Sequence, residues 1–310
     1  MSITTRRHAL ATLTALATLT IPLPAVRAQD PAPALRIAAS TPVFADIAAS
    51  IGGERVDVWS VIPAGADPHT WEASAQDMAR VGEFDLFLSM GAHLEPFIED
   101  GGWRRAVQSA GVRELVLADH LDLIAVDRVI DHGDHTHDLR DGDPHVWLDP
   151  RMGEAVVEVI AAALADADPA GAETYAANAA RLGATLREID ARYEAMMADI
   201  PPDRRELVVF HDAFTYLAAR YGFTVIGVVL PNVEGEASAQ ELAVIVETVR
   251  REEVPVIFAE PQFPTALLEA ISAETGASIG YLMTDTFTDD VATYPGLLEF
   301  NLESLRALIP

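Results

Sequence analysis

Two pentapeptides of the chain differ at a single position: Asp67-Pro68-His69-Thr70-Trp71 and Asp143-Pro144-His145-Val146-Trp147. Histidine and tryptophan are scarce, with nine and four in 310 residues, so chance explains the repeat poorly. Each proline fixes its own φ and pushes the aspartate before it toward extended backbone. The histidine that follows is therefore presented from a stiff loop. Imidazole nitrogens held this way suit a divalent transition metal. The plainer alternative is a turn carrying an incidental histidine.

Two further residues occupy comparable places. His211 directly follows the apolar run Leu207–Phe210, and Asp285 follows Ser278–Met283. In open α/β sheets, ligands bind beyond the carboxyl ends of the strands. His211 could equally be a helix-start residue, and Asp285 a turn or cap residue. Asp212, Glu260, Asp289 and Asp290 compete with Asp285 for the same role. Three neutral imidazoles and one carboxylate, from His69, His145, His211 and Asp285, make a closed tetrahedral site for Zn²⁺. A second cluster, Asp131 to Asp138, carries His132, His135 and His137 among acids and a glycine. Such a tract attracts metal but cannot preorganise a cage, so it reads as an accessory capture loop. His93 and His120 have no companions and read as structural or surface residues.

The elements that must position these groups alternate along the chain. Leu35–Ser40, Val56–Ile62, Phe84–Met90, Glu114–Ala118, Leu207–Phe210, Thr224–Leu230, Val256–Ala259 and Ser278–Met283 read as strands. Helical patterns at Val43–Ile51, Ser74–Val81, Ala213–Tyr221, Ser238–Glu252, Pro264–Thr275 and Pro295–Leu308 separate them. Near-continuous apolar strands alternating with helices imply parallel sheets covered on both faces. Between the halves, Met152–Ala167 and Ala170–Ile200 are rich in strong helix formers. The second would run ~45 Å at 1.5 Å per residue, enough to span two lobes. The expected fold is α/β: two lobes of parallel β-sheet flanked by helices, joined by one long connecting α-helix. The expected divisions are an N-terminal lobe at 29–168 with the histidine loop 131–138, the linking helix at 169–200, and a C-terminal lobe at 201–310. A helical connector predicts small lobe motions.

Residues 1–28 read as a secretory signal: Arg6, Arg7 and His8 open it, an uncharged apolar run follows, and Val26-Arg27-Ala28 offers a cleavage site. The run is too short to span a bilayer comfortably, and the paired arginines leave the export route open. The expected product starts near Gln29 and is periplasmic. Cysteine is absent, which excludes disulfides, thiolate metal sites and lipidation on cysteine, so no membrane anchor is expected. The charge is −27 and every one of the 21 bases is arginine. Without the three leader arginines it becomes −27 − 3 = −30. Such a surface excludes nucleic-acid binding and suits a protein that attracts cations.

Taken together, these segments resemble the ZnuA/TroA-type metal-binding solute-binding proteins of ABC importers, from about Leu35 to Leu308. The marks are Asp-Pro-His after the second strand, Asp-Pro-His-Val-Trp-Leu-Asp-Pro, Phe-His-Asp-Ala-Phe, the Glu236-Ala-Ser-Ala segment and Thr284-Asp285. The histidine loop is shorter than in many zinc members, and the Glu236 segment lacks the usual proline. The resemblance implies a metal held between two lobes, with His69, His145, His211 and Asp285 at the ligand positions. A histidine in the third place is similar to the zinc branch, since manganese-type members usually carry glutamate there. Aspartate in the fourth place resembles the AztC-like members, which a periplasmic zinc chaperone supplies. The implied function is capture of Zn²⁺ as cargo by a monomer that delivers it to an inner-membrane ABC permease. The alternatives are a manganese or iron carrier on the same fold and a zinc hydrolase. The hydrolase is disfavoured because catalytic zinc keeps three protein ligands and an open position.

Overall fold

Several helices begin at a side-chain cap, at Thr41, Ser74, Asp149, Ser238 and Thr293, and the strands follow the short apolar runs. In the computed structural model, the described residues are 35–99, 102–126, 129–131, 136–138, 142–231, 233, 235 and 237–310. The leader at 1–28, His132, His135 and Glu236 lie outside them, as do the side chains of 127–141, His137 included.

The first half contains β1 (Leu35–Ala39), α1 (Pro42–Gly52), β2 (Val56–Ser60), α2 (Ala75–Arg80), β3 (Leu86–Ser89), α3 (Pro96–Glu99), α4 (Trp103–Ala110) and β4 (Arg113–Val116). A short antiparallel pair follows, β5 (Val129–Asp131) with β6 (Thr136–Asp138). Then come α5 (Pro150–Ala167) and α6 (Ala172–Met197). The second half contains β7 (Glu206–Val209), α7 (Thr215–Tyr221), β8 (Thr224–Val228), α8 (Ala239–Arg251), β9 (Val256–Ala259), α9 (Ala266–Thr275), β10 (Ser278–Tyr281) and α10 (Tyr294–Leu305).

Two four-stranded parallel sheets result, ordered β2-β1-β3-β4 and β10-β9-β7-β8. The eight runs read as strands in the sequence are these eight strands. Burial explains the apolar runs: β3 and β9 have every residue buried, as strands covered on both faces require. Helix starts follow local chemistry. Ser74 with Asp77, and Ser238 with Glu241, form capping boxes on α2 and α8, satisfying backbone N–H groups that the first turn leaves orphaned. Asp149 caps α5 with Pro150 in its first turn, where proline loses no hydrogen bond.

The long helix α6 has 26 residues, so about 39 Å at 1.5 Å per residue. It is shorter than the stretch Ala170–Ile200, because Pro169–Gly171 forms a separate 3₁₀ turn and Ala198 ends the helix. It packs against α5, α1 and α10, elements of both halves. One apolar core runs through these helices, joining Ile37, Phe44 and Trp147 to Val209, Phe214 and Leu298. Gly153 on α5 allows the closest approach. A Cβ there would lie 1.9 Å from the Tyr294 hydroxyl oxygen, which itself donates to the Trp147 carbonyl at 2.7 Å. Among the described residues no helix is long and apolar enough to cross a membrane.

Candidate metal centre

A group of buried polar residues gathers beyond the carboxyl ends of β2, β7 and β10. His69 follows β2, His211 follows β7 and Asp285 follows β10; His145 immediately precedes the turn that leads into α5. All four are buried, and each offers a ligand atom within 4.8 Å of the other three. The three imidazoles form a nearly equilateral triangle, with ring centroids 5.4, 5.6 and 5.3 Å apart. The Nε2 atoms of His69 and His145 stand 3.3 Å apart. Asp285 places Oδ2 3.6 Å from Nε2 of His211 and Oδ1 3.8 Å from Nε2 of His145. A tetrahedral ion with bonds of ~2.0–2.1 Å spaces its ligand atoms ~3.3–3.4 Å apart. The observed spacings start at that value, at 3.3 Å, and all lie within 4.8 Å.

Two of the histidines are oriented by one repeated device. Oδ1 of Asp143 accepts both the backbone N–H of His145 at 2.9 Å and its ring Nδ1–H at 2.8 Å. Oε1 of Glu260 does the same for His211, at 3.1 and 2.6 Å. Both rings are thereby fixed with Nδ1 protonated and Nε2 aimed into the cluster, the arrangement that metal-ligating histidines adopt. Asp67 gives His69 the corresponding backbone bond, at 3.1 Å. The proline between aspartate and histidine makes this geometry local: the carboxylate folds back over an extended step onto the N–H two residues on.

Glu260 stood in the sequence as a rival ligand. The structure puts its carboxylate behind the His211 ring, on the side away from the cluster. Register accounts for this. Val209 pairs with Phe258 in the β7–β9 ladder; two residues further on, His211 meets Glu260. Of the other rivals, Asp289 and Asp290 are not in the cluster, nor is Asp212. His93 pairs with Glu99 at 3.1 Å, away from the four.

Asp285 is held from both sides. Asn301 on α10 bonds both the N–H and the C=O of Met283, each at 2.7 Å. The Thr286 hydroxyl accepts the Gly65 N–H at 2.6 Å, and the Trp147 indole donates to the Thr284 carbonyl at 2.7 Å. The two tryptophans of the repeat thus differ in use. Trp71 stacks edge-on against Phe97, in the apolar layer outside the first sheet, whereas Trp147 ties the second pentapeptide to the Asp285 loop.

The electrostatics are those of a cluster awaiting a cation. Burial alone would lower the pKa of His211, but the charge and hydrogen bond of Glu260 outweigh it and push it up to about 10. For His145, burial again opposes and Asp143 prevails, so its pKa is raised. Burial raises Asp285 against the pull of both histidines. Burial, then the charge on Asp285, pushes Asp67 up to about 7.

Two parallel sheets joined by a long helix, with four nitrogen and oxygen donors buried beyond the strand ends, define the class of metal-binding solute-binding proteins of ABC importers. The family described as zinc-uptake complex component A, periplasmic (ZnuA), matches residues 37–308, and the chain belongs to that family. The manganese-binding lipoprotein MntA of Halalkalibacterium halodurans is 28% identical over 87% of this chain and 87% of its own length. The iron-binding protein YfeA of Yersinia pestis is also 28% identical, over 97% of this chain and 95% of its own length. The fold is similar to the periplasmic zinc-binding protein TroA from Treponema pallidum, with a TM-score of 0.77 at 24% identity, covering 89% of this chain and 99% of that one. The manganese ABC transporter substrate-binding lipoprotein PsaA of Streptococcus mitis is 27% identical over 87% of this chain; the chain is, with its family, a metal-binding substrate-binding component of ABC transport and not an enzyme.

Proposed function

We propose that the cargo is Zn²⁺, held by His69, His145, His211 and Asp285 and delivered from the periplasm to the permease. The observation that carries this reading is the donor set with its spacing. Three imidazoles and one carboxylate lie within 4.8 Å, with the closest pair at 3.3 Å, which suits a closed four-coordinate ion. Manganese favours oxygen-rich, higher-coordinate sites. On the same reading, residues 1–28 are removed, 29–168 and 201–310 act as the two lobes, and 169–200 is the linking helix. His132, His135 and His137 act as a capture loop that gathers zinc from solution or from a periplasmic chaperone.

A manganese or iron cargo is the second reading, favoured by the names of MntA and YfeA. Competition of Zn²⁺ and Mn²⁺ for the purified, metal-stripped protein separates the two. Preference for Zn²⁺, lost in His211→Ala, supports the first; preference for Mn²⁺ establishes the second.

A further inference from the structure

Asp143, whose carboxylate orients the His145 ring, is itself held from the other half of the chain. Its N–H donates to the Ile124 carbonyl at 2.9 Å. In a hydrogen-bonded antiparallel pair, the two residues exchange N–H and C=O in both directions. Here the return bond runs through a side chain. The Ile124 N–H donates to the Tyr216 hydroxyl at 2.9 Å, and that hydroxyl donates to the Asp143 carbonyl at 2.7 Å. The direction of each bond is fixed, because a backbone N–H only donates and a carbonyl only accepts. Tyr216 is buried, and burial pushes its pKa up to about 12, so the phenol keeps the proton that the bridge needs.

Tyr216 sits in the first turn of α7, on the helix that follows His211. A spacer from the half that supplies His211 thus stands inside the backbone pair that places Asp143 and, two residues on, His145. Without the hydroxyl, the Ile124 N–H and the Asp143 carbonyl either close directly on each other or lose this partner. Both outcomes move the Asp143 backbone, and the His145 ring follows the carboxylate that holds it.

We propose that Tyr216 is a positioning residue for metal binding: acting through Asp143, it sets where Nε2 of His145 stands relative to the ligands of the second half. Such a constellation has to be held to within ~0.5 Å to function. The inference rests on the four-ligand reading of the site, and its test separates the two.

The parent chain, Tyr216→Phe, Ile124→Pro, Tyr193→Phe and His145→Ala are stripped of metal and checked for folding by circular dichroism. Zn²⁺ affinity is measured by competition with a chromophoric chelator. Co²⁺ supplies a geometric readout, because a four-coordinate site lacks an inversion centre and gives strong visible bands. Tyr193→Phe is the matched control: its hydroxyl also donates to a backbone carbonyl at 2.7 Å, that of Leu298, in the core between α6 and α10. In Tyr216→Phe the Zn²⁺ affinity falls about tenfold, as loss of a partner behind a ligand does, and the Co²⁺ bands shift; Tyr193→Phe keeps both. Ile124→Pro removes the N–H on the other side of the bridge. It moves affinity and bands in the same direction and covers the case in which Tyr216→Phe does not fold. In an Asp143→Ala background Tyr216→Phe adds little, because the carboxylate through which it acts is gone; residues acting through one another are not additive. Parent-like affinity and bands in Tyr216→Phe, or in Ile124→Pro where that alone folds, overturn the proposal. So do equal losses in Tyr216→Phe and Tyr193→Phe, or full additivity with Asp143→Ala. If His145→Ala binds Zn²⁺ as the parent does, the four-ligand reading itself is wrong and the role of Tyr216 falls with it.

Discussion

The indole N–H of Trp147 donates to the carbonyl of Thr284 across 2.7 Å, although 137 positions separate the two in sequence. Trp147 stands two residues after His145, and Thr284 one residue before Asp285. The bond therefore sets the distance between a donor from the first half and a donor from the second. The Tyr294 hydroxyl fixes the same tryptophan from behind through its carbonyl.

Trp147→Phe removes the indole donor and, because the residue is buried, also leaves a small cavity where the second ring packed. It leaves the Thr284 carbonyl buried without that partner, a loss of about 1–3 kcal/mol. The expected result is a lower unfolding midpoint for the metal-free protein, measured by thermal denaturation, together with weaker metal binding by titration calorimetry. Trp71→Phe, which touches the apolar layer and not the Asp285 loop, should weaken metal binding far less. Equal effects of the two substitutions on binding would remove the indole bond from the account.

Metal affinity should rise with pH over a wider window than ordinary histidines give. A ligating imidazole must be neutral, and its usual pKa is near 6.5. Glu260 overrides burial and pushes His211 up to about 10, and Asp143 raises His145 likewise. The sign follows: below its raised pKa the metal-free ring is protonated, so the ion must displace a proton, and affinity grows as pH climbs past 7. Calorimetry in buffers of different ionisation enthalpy should record proton release at pH 7.5. Glu260→Gln keeps an acceptor for the ring but removes the charge, so it should lower the pH above which affinity levels off. An affinity that is flat above pH 7 in the parent, with no proton released, contradicts this.

The divisions of the fold were legible because burial leaves its mark on short segments. Val256–Ala259 is apolar throughout and is a strand buried at every residue. α4 went unread although Trp103, Ala106, Val107 and Ala110 recur at helical spacing; at eight residues between Gly102 and Gly111, both at positive φ, it is short enough to pass for a loop. His69 and His145 were legible from the repeated pentapeptide. Glu260 was visible only as one acid among several. Its place behind His211 depends on which strand pairs with β7, a long-range fact that no local pattern carries. Tyr216 is the same kind of case: a tyrosine in the first turn of a helix has no distinguishing mark until Ile124 and Asp143 are brought against it.

The stretch Asp131–Asp138 includes the strand ends of β5 and β6 and the histidines His132, His135 and His137. Ordering such a tract on a metal costs roughly 1–2 kcal/mol per residue fixed, so any site there should be weaker than the buried one. Its closeness in sequence to His145 raises the local metal concentration near the cluster. Deleting it should leave the equilibrium affinity for the first zinc nearly unchanged and slow zinc capture, as followed by stopped-flow. Loss of the tight site, or an unaltered capture rate with unaltered stoichiometry, would count against a capturing role.

The most direct measurement is the zinc affinity and stoichiometry of the metal-stripped protein, beside His211→Ala and His93→Ala and with Mn²⁺ as competitor. His93 is half-buried, is paired with Glu99 and lies outside the cluster, so it controls for the loss of any histidine. The account predicts one tight Zn²⁺ per chain that Mn²⁺ displaces poorly, abolished or weakened by orders of magnitude in His211→Ala and retained in His93→Ala. Equal zinc binding by the two variants, or Mn²⁺ outcompeting Zn²⁺ in the parent, would contradict it.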